Sequence, residues 1–431
     1  MDRLVVRGGA RLAGRITAAG SKNAVLPIMA AALLTDEPLV LRRVPELRDV
    51  ATMVKILERL GVTAEADGRD LVLRGSTHGP AEADYDLVST MRASVCVLGP
   101  LVASRGRARV SLPGGCVFGV RPVDQHVRGL NALGARIETS GGYLVSEAGD
   151  DLHGADIFLG TRFGSSVLAT DNVLMAAVLA QGTTRLENAA MEPEVAELCR
   201  VLVAMGARIE GIGGHRLIVH GVERLHGAEH VLSGDRIEAG TFLVGAAMTR
   251  GDVTVEGIDS SSLTILLETL REMDVDVEHG DDWVRAATDR PLQAVDVTTM
   301  PFPGFPTDLQ AQVMAALTVA RGLSIVTERI FPDRFMHVAE LLRLGADIRK
   351  EGPQAIIQGR PSLSGATVMA SDLRASAALV LAGLVAEGST EVRRVYHIDR
   401  GYERIDERLA SLGATIVREA QPKPETVPAD W

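Results

Sequence analysis

Leu133-Gly134-Ala135-Arg136-Ile137 is a phrase that the chain repeats, and its recurrences decide the fold. It returns as Met205-Gly206-Ala207-Arg208-Ile209, Leu344-Gly345-Ala346-Asp347-Ile348 and Leu412-Gly413-Ala414-Thr415-Ile416. A shorter form is Leu60-Gly61-Val62, and Met273-Asp274-Val275-Asp276-Val277 carries aspartate in place of glycine. Positions 61, 134, 206, 274, 345 and 413 are spaced 73, 72, 68, 71 and 68 residues apart. A second phrase, an apolar helical pattern followed by glycine and a strand, runs in step at Gly106, Gly182, Gly251, Gly322 and Gly388. A glycine after each helix fits a left-handed cap. The alternation in Ala207-Arg208-Ile209-Glu210 predicts a strand. A period near 70 residues is longer than solenoid repeats and implies small α/β units packed around a shared core. Six units make two domains of three. The runs Ala24 to Leu34 and Ala375 to Ala386 have no polar face, so helices are expected inside and sheets outside.

The strand pattern Leu4 to Val6 precedes the first full unit, and the last unit, ending near Arg418, lacks such a strand. The N-terminal strand is therefore expected to complete the last unit. The chain would start in one domain, cross near residue 21 and return near Leu232-Ser233-Gly234. That gives residues 1–21 with 233–419 as one domain and 22–232 as the other, which carries a cysteine loop. Residues 420–431 are proline-rich and polar and are expected to be a disordered tail.

A length of 431 residues exceeds what one core usually supports. The net charge of −11 and the 3% aromatic content argue against a nucleic-acid partner or an anionic membrane surface. An anionic ligand would need a local cluster of arginines. Cys96, Cys116 and Cys199 form neither a disulfide framework nor a zinc spacing, which favours a reducing compartment. The longest apolar runs, 11 and 12 residues, fall short of the ~20 that a membrane span needs. The start, Met1-Asp2-Arg3-Leu4, has no signal-peptide layout. A soluble cytoplasmic protein is expected, with no metal, no organic cofactor and no obligate protein partner.

Leu112-Pro113-Gly114-Gly115-Cys116-Val117-Phe118-Gly119-Val120-Arg121-Pro122-Val123-Asp124 places one thiol on a glycine loop, five residues before an arginine. A guanidinium nearby would lower the thiol pKa and suit it to proton transfer or nucleophilic work. The residues alone also fit a half-buried turn cysteine. Ser21-Lys22-Asn23 opens an apolar helix, where a lysine adds to the positive dipole end. Alone, it is an ordinary solvated lysine. Tyr85 to Ser94 puts Arg92 near another buried helix, and Phe305-Pro306-Thr307-Asp308 puts a carboxylate at a helix start. Asp308 fits an N-cap or a general base for a hydroxyl. Asp333-Arg334, Asp372-Leu373-Arg374 and Asp399-Arg400 pair Asp with Arg just before or at helices. Such neighbours are usually surface ion pairs. At matching points of three repeats they predict one shared cationic cleft.

Gly20-Ser21-Lys22-Asn23-Ala24, Thr90-Met91-Arg92-Ala93-Ser94, the Cys116 loop, Phe305-Pro306-Thr307-Asp308, Asp372-Leu373-Arg374-Ala375-Ser376 and His397-Ile398-Asp399-Arg400-Gly401-Tyr402-Glu403-Arg404 together resemble the enolpyruvyl transferases. The match runs from about residue 3 to 418 and is closest to members with a UDP-sugar acceptor. The resemblance implies two inside-out α/β domains and transfer of the enolpyruvyl group of phosphoenolpyruvate to the 3-hydroxyl of UDP-N-acetylglucosamine. It implies that Lys22, Arg121 and Arg400 hold the donor, with Arg334 and Arg374 adding to the positive field. Cys116 would protonate the methylene carbon or form a covalent adduct. Asp308 would take the hydroxyl proton, and Asp372 would help in proton handling. Asn23, Arg92, Arg121, Pro122, Val123, Asp124, Gln125 and Ile330 would bind the acceptor, with the diphosphate on Ser166, Val167 and Leu168. The family loop there usually has glycine where this chain has Leu168. Positive φ and close backbone approach are both harder for leucine. Alternatives are a transferase with a different nucleotide acceptor and a silent paralogue that only binds the sugar-nucleotide.

Overall fold

The computed structural model describes residues 2–112, 123–147 and 151–420. Six four-stranded sheets share one plan. An edge strand runs parallel to its neighbour, and two further strands follow antiparallel. In the first unit Ala228–Val231 lies parallel to Pro38–Arg42, which pairs antiparallel with Asp70–Arg74 and that with Thr63–Asp67. In the last, Thr367–Met369 lies parallel to Ser389–Arg393, and Asp2–Arg7 inserts between Ser389–Arg393 and Thr415–Ala420. The register Leu4↔Val392 and Val6↔Ile416 places the N-terminal strand inside the sixth sheet, as expected from the missing strand. The last strand runs through Ala420, which pairs with Asp2, so the expected tail begins at least one residue later. Residues 421–431 lie outside the described residues.

Each unit contributes one inner and one outer helix. The inner helices include Lys22–Ala30, Leu98–Arg105, Val167–Ala177, Arg236–Met248, Thr307–Leu317 and Leu373–Val385. Every residue of Arg236–Met248 is buried. A helix buried all round must be covered on all sides, and the sheets supply that cover. The outer helices are amphipathic: Arg48–Arg59 buries Val50, Met53, Ile56 and Leu57 and exposes Arg48, Ala51 and Glu58. The strands alternate, with Leu4 and Val6 or Leu71 and Leu73 inward. Each fully buried Leu or Val contributes about 1.5–3 kcal/mol relative to exposure.

The buried residues form two clusters. A middle body gathers residues 24–232, and a terminal body gathers 4–18 with 237–416. The two chain crossings lie side by side as the antiparallel bridge Gly20↔Gly234. Ser21 N–H donates to Ser233 O at 2.8 Å and Asp235 N–H to Ala19 O at 2.8 Å. Buried Glu238 accepts from Ala19 N–H at 2.7 Å and from Arg408 Nη2 at 3.3 Å, tying the crossing to the terminal body.

Two repeat positions depart from the glycine rule. Asp274 holds φ +69° where the other five repeats use glycine. Near Gly251 the left-handed residue is Arg250, φ +50°. Gly251 is required for a different reason: a Cβ there would sit 2.0 Å from Leu12 O, just before the strand Ala13–Thr17.

Candidate active site

Asp308 lies in the first turn of Thr307–Leu317, on the side facing the middle body. Its Oδ1 accepts from Arg334 Nη1 at 2.8 Å. Its Oδ2 accepts from Arg374 Nε and Nη2, both at 3.2 Å, and from Asn23 Nδ2 at 3.3 Å. Asn23 belongs to the middle body, so this carboxylate gathers donors from both bodies. Withdrawal from water raises the Asp308 pKa, but Arg374, then Arg334, with Lys22 beyond them, outweigh it and hold the carboxyl well below its usual range.

The three Asp–Arg pairs expected at matching points of three repeats do not occupy them: Arg334 and Arg400 precede outer helices, whereas Arg374 starts an inner helix of the same unit as Arg400. Arg334 and Arg374 converge on Asp308 rather than on the aspartates beside them in sequence. Asp372 caps the helix Leu373–Val385, its Oδ1 accepting from the N–H groups of Arg374 and Ala375 at 2.9 and 3.1 Å. Asp399 pairs with Arg418 at 2.8 Å, and Asp333 is exposed. Arg374 is 1% exposed, a burial that is tolerable for a charge only beside a carboxylate. Beneath it Thr241, Gln312 and Tyr402 form a buried polar cluster. Gln312 Nε2 donates to Tyr402 Oη at 3.0 Å and to Thr241 Oγ1 at 3.1 Å. The guanidinium carbon of Arg374 lies 5.3 Å from the Tyr402 ring centroid.

Lys22 and Arg400 meet at a residue that motif reasoning passed over. Lys22 Nζ lies 3.2 Å from Oδ2 of Asp49, and Arg400 Nε donates to Oδ1 of Asp49 at 2.9 Å. The Lys22 N–H donates to Asp235 Oδ2 at 3.0 Å. Arg48-Asp49 looks in sequence like any acid placed to complement a helix N-terminus, so nothing local marked it. Glu328 was missed for the same kind of reason, at the end of an ordinary strand. It is fully buried and fixes Ile330 by accepting its N–H at 2.8 Å, and its Oε2 accepts from Thr307 Oγ1 at 2.8 Å. Arg236 and Glu194 join the two bodies through bonds of 2.8 and 3.1 Å.

Cys116, Arg121 and Pro122 lie outside the described residues. Apart from Ile330, which lies in the terminal body, the other residues expected at the acceptor lie on elements packed together in the middle body. Arg92 opens a 3-10 turn, Arg92–Val97, and its charge reaches His126. Val123 precedes the helix Asp124–Ala132, in which Gln125 Nε2 donates to Asp124 Oδ2 at 2.8 Å. His126 stands 2.8 Å from Asn172 Nδ2 on Val167–Ala177. Burial first, and Arg92 next, push His126 down to about 3, so it is neutral.

Ser166 is the N-cap of Val167–Ala177, with no capping bond from its side chain. Leu168 lies inside that helix with its side chain packed partly into the core. The expectation that this position demands positive φ is corrected here, since a helical residue needs none. Only the steric part of the concern remains. Among the described residues no group of three His, Cys, Asp or Glu is arranged to hold a metal ion. No described helix is long and apolar enough to cross a membrane.

Residues 6–409 match the family model of EPSP synthase (3-phosphoshikimate 1-carboxyvinyltransferase). Over 419 residues the chain is 52% identical to a UDP-N-acetylglucosamine 1-carboxyvinyltransferase of Methylacidiphilum infernorum, covering 97% of this chain and 99% of the relative. One from Zymomonas mobilis is 50% identical over 426 residues, with the same coverage. Among solved structures, the enolpyruvyl transferase NikO from Streptomyces tendae superposes with a TM-score of 0.88 at 27% identity, covering 98% and 99% of the two chains. EPSP synthase from Acinetobacter baumannii shares the fold, with a TM-score of 0.77 at 22% identity over 98% of this chain and all of that one. The resemblance carried by the short motifs thus extends through sequence and architecture alike, and the chain belongs to the enolpyruvyl transferase family.

Proposed function

We propose that this protein transfers the enolpyruvyl group of phosphoenolpyruvate to the 3-hydroxyl of UDP-N-acetylglucosamine and releases phosphate, the committing step towards peptidoglycan. The observation that carries this is the full-length relation, at about half identity, to two UDP-N-acetylglucosamine 1-carboxyvinyltransferases. Residues 1–21 with 233–419 form one domain and 22–232 the other, and the acceptor is bound between them. The setting is the cytoplasm, with cell-wall growth and division depending on the product.

The sugar oxygen adds to C2 of the donor while a proton adds to C3, giving a tetrahedral adduct. Loss of a C3 proton with departure of phosphate restores the double bond. Lys22, Arg121 and Arg400 hold the donor, and Arg334 and Arg374 add positive charge where the anionic adduct forms. Cys116 supplies the C3 proton or adds covalently. Asp308 removes the hydroxyl proton. Two guanidiniums make it a weak base, so a bound anion that shares their charge raises its basicity when it is needed. Asp372 assists proton handling from its place beside Arg374. Asn23, Arg92, Val123 to Gln125 and Ile330 line the acceptor, whose diphosphate meets the N–H groups of Ser166 to Leu168 at a helix start.

Phosphate release from phosphoenolpyruvate, with UDP-N-acetylglucosamine and with shikimate 3-phosphate as control, tests this. Release only with the UDP-sugar is expected. Release only with shikimate 3-phosphate, or with neither acceptor, would overturn it.

A further inference from the structure

Asp49 is a buried carboxylate that the chemistry above does not use, yet it stands between two of that chemistry's cations. It is 3% exposed, in the first turn of Arg48–Arg59. Each of its oxygens takes one cation at short range: Oδ2 is 3.2 Å from Lys22 Nζ, and Oδ1 is 2.9 Å from Arg400 Nε. Arg400 Nη2 adds a longer contact to Oδ2, 3.5 Å. Lys22 opens an inner helix of the middle body, whereas Arg400 ends the turn Val395–Arg400 of the terminal body. Two cations from different bodies repel when brought together, unless an anion stands between them. The helix start favours that anion. Two more ion pairs lie along the same seam: Arg69 with Glu403 and Arg404 with Glu46.

We propose that Asp49 is a positioning residue that sets Lys22 and Arg400 at a fixed spacing across the two bodies, so that one donor anion meets both. This deepens the transferase assignment and rests on it. Removing the Asp49 charge leaves the site more positive, so the donor is not held less tightly on charge count. What is lost is geometry, and lost geometry lowers kcat more than it raises KM.

The test is steady-state kinetics on the full chain. Asp49→Asn is expected to lower kcat at least about tenfold while both KM values stay within about threefold. Asp49→Glu, which keeps the charge, is expected to recover most of the lost kcat. In an Arg400→Ala background, Asp49→Asn should cost less than about threefold more, because its route through Arg400 is gone. The proposal is overturned by an Asn variant with kcat within about twofold of wild type, or by its full cost persisting without Arg400. Equal losses in the Asn and Glu variants with matching falls in melting temperature would also overturn it, as a purely structural effect. Wild-type protein inactive with both acceptors would sink the transferase assignment instead. Calorimetry of phosphoenolpyruvate binding then decides on Asp49: an altered binding enthalpy in the Asn variant, restored by Glu, supports it, and an Asn variant identical to wild type overturns it.

Discussion

Arg374 places Nε and Nη2 both 3.2 Å from Oδ2 of Asp308, the same oxygen that Asn23 approaches from the other body at 3.3 Å. The carboxylate is thus a junction of charge and of domain contact. Asp308→Asn is expected to lower kcat about a hundredfold, as removal of a general base does. A second consequence concerns acid stability. The folded pKa is depressed, so the stabilisation from Asp308 is present above the unfolded value near 4 and is lost as pH falls through the folded one. Urea titrations between about pH 5 and 2.5 should show a shallower loss in the Asn variant than in wild type.

Glu238 gives the opposite sign. Burial, opposed by Arg408 and the Ala19 N–H, raises its pKa from 4.5 to about 7. An acid with a raised folded pKa contributes stability below its unfolded value, and loses it as pH rises through the folded one. The span is worth on the order of 3 kcal/mol. Wild-type stability relative to Glu238→Gln should therefore decline between about pH 4.5 and 7. Parallel denaturation curves for the two proteins across that interval would refute the assignment.

Leu168 tests the acceptor loop. Leu168→Gly is expected to lower the KM for UDP-N-acetylglucosamine, because only bulk, and not backbone conformation, stands between this helix start and a diphosphate. Glycine in a helix and the lost side-chain packing cost about 1 kcal/mol or more, with a melting temperature lower by roughly 2–4 °C per kcal/mol. An unchanged or higher KM would reject the steric account.

Thiol chemistry should be confined to one residue. Cys96 and Cys199 are fully buried, and burial raises both pKa values, that of Cys199 to about 12. A thiol-reactive donor mimic such as fosfomycin should give one adduct, on Cys116, in the presence of UDP-N-acetylglucosamine. Peptide mass spectrometry that finds the adduct elsewhere, or none, contradicts a thiolate in the site.

Much of the architecture was legible because it is repeated. Six equivalent turns demand six left-handed residues, and five glycines with Asp274 supply them. The apolar runs Ala24 to Leu34 and Ala375 to Ala386 announced the burial of their helices. The missing strand of the last unit pointed to the first residues of the chain. The cations drew attention in the sequence too, Lys22 and Arg374 at the starts of inner helices and Arg334 and Arg400 ahead of outer ones. Their partners did not. Asp–Arg neighbours in sequence suggested local pairs, but a helix start turns adjacent side chains apart, and Asp372 spends its Oδ1 on backbone N–H groups. Asp49 and Glu328 become meaningful only when distant units are packed together. No periodic pattern encodes that.

The place of Asp2–Arg7 in the sixth sheet has a consequence for synthesis. All strands of the three middle sheets lie between residues 38 and 231, so that body has every strand it needs once Val231 has left the ribosome. The terminal body must wait. Its first strand is made first, but its partners Ser389–Arg393 and Thr415–Ala420 are made last. At roughly 5–20 residues per second that edge stays unpaired for tens of seconds. Arg3 and Arg7 on a strand with only two buried apolar residues, Leu4 and Val6, keep it charged enough to discourage pairing with another nascent chain in the interval.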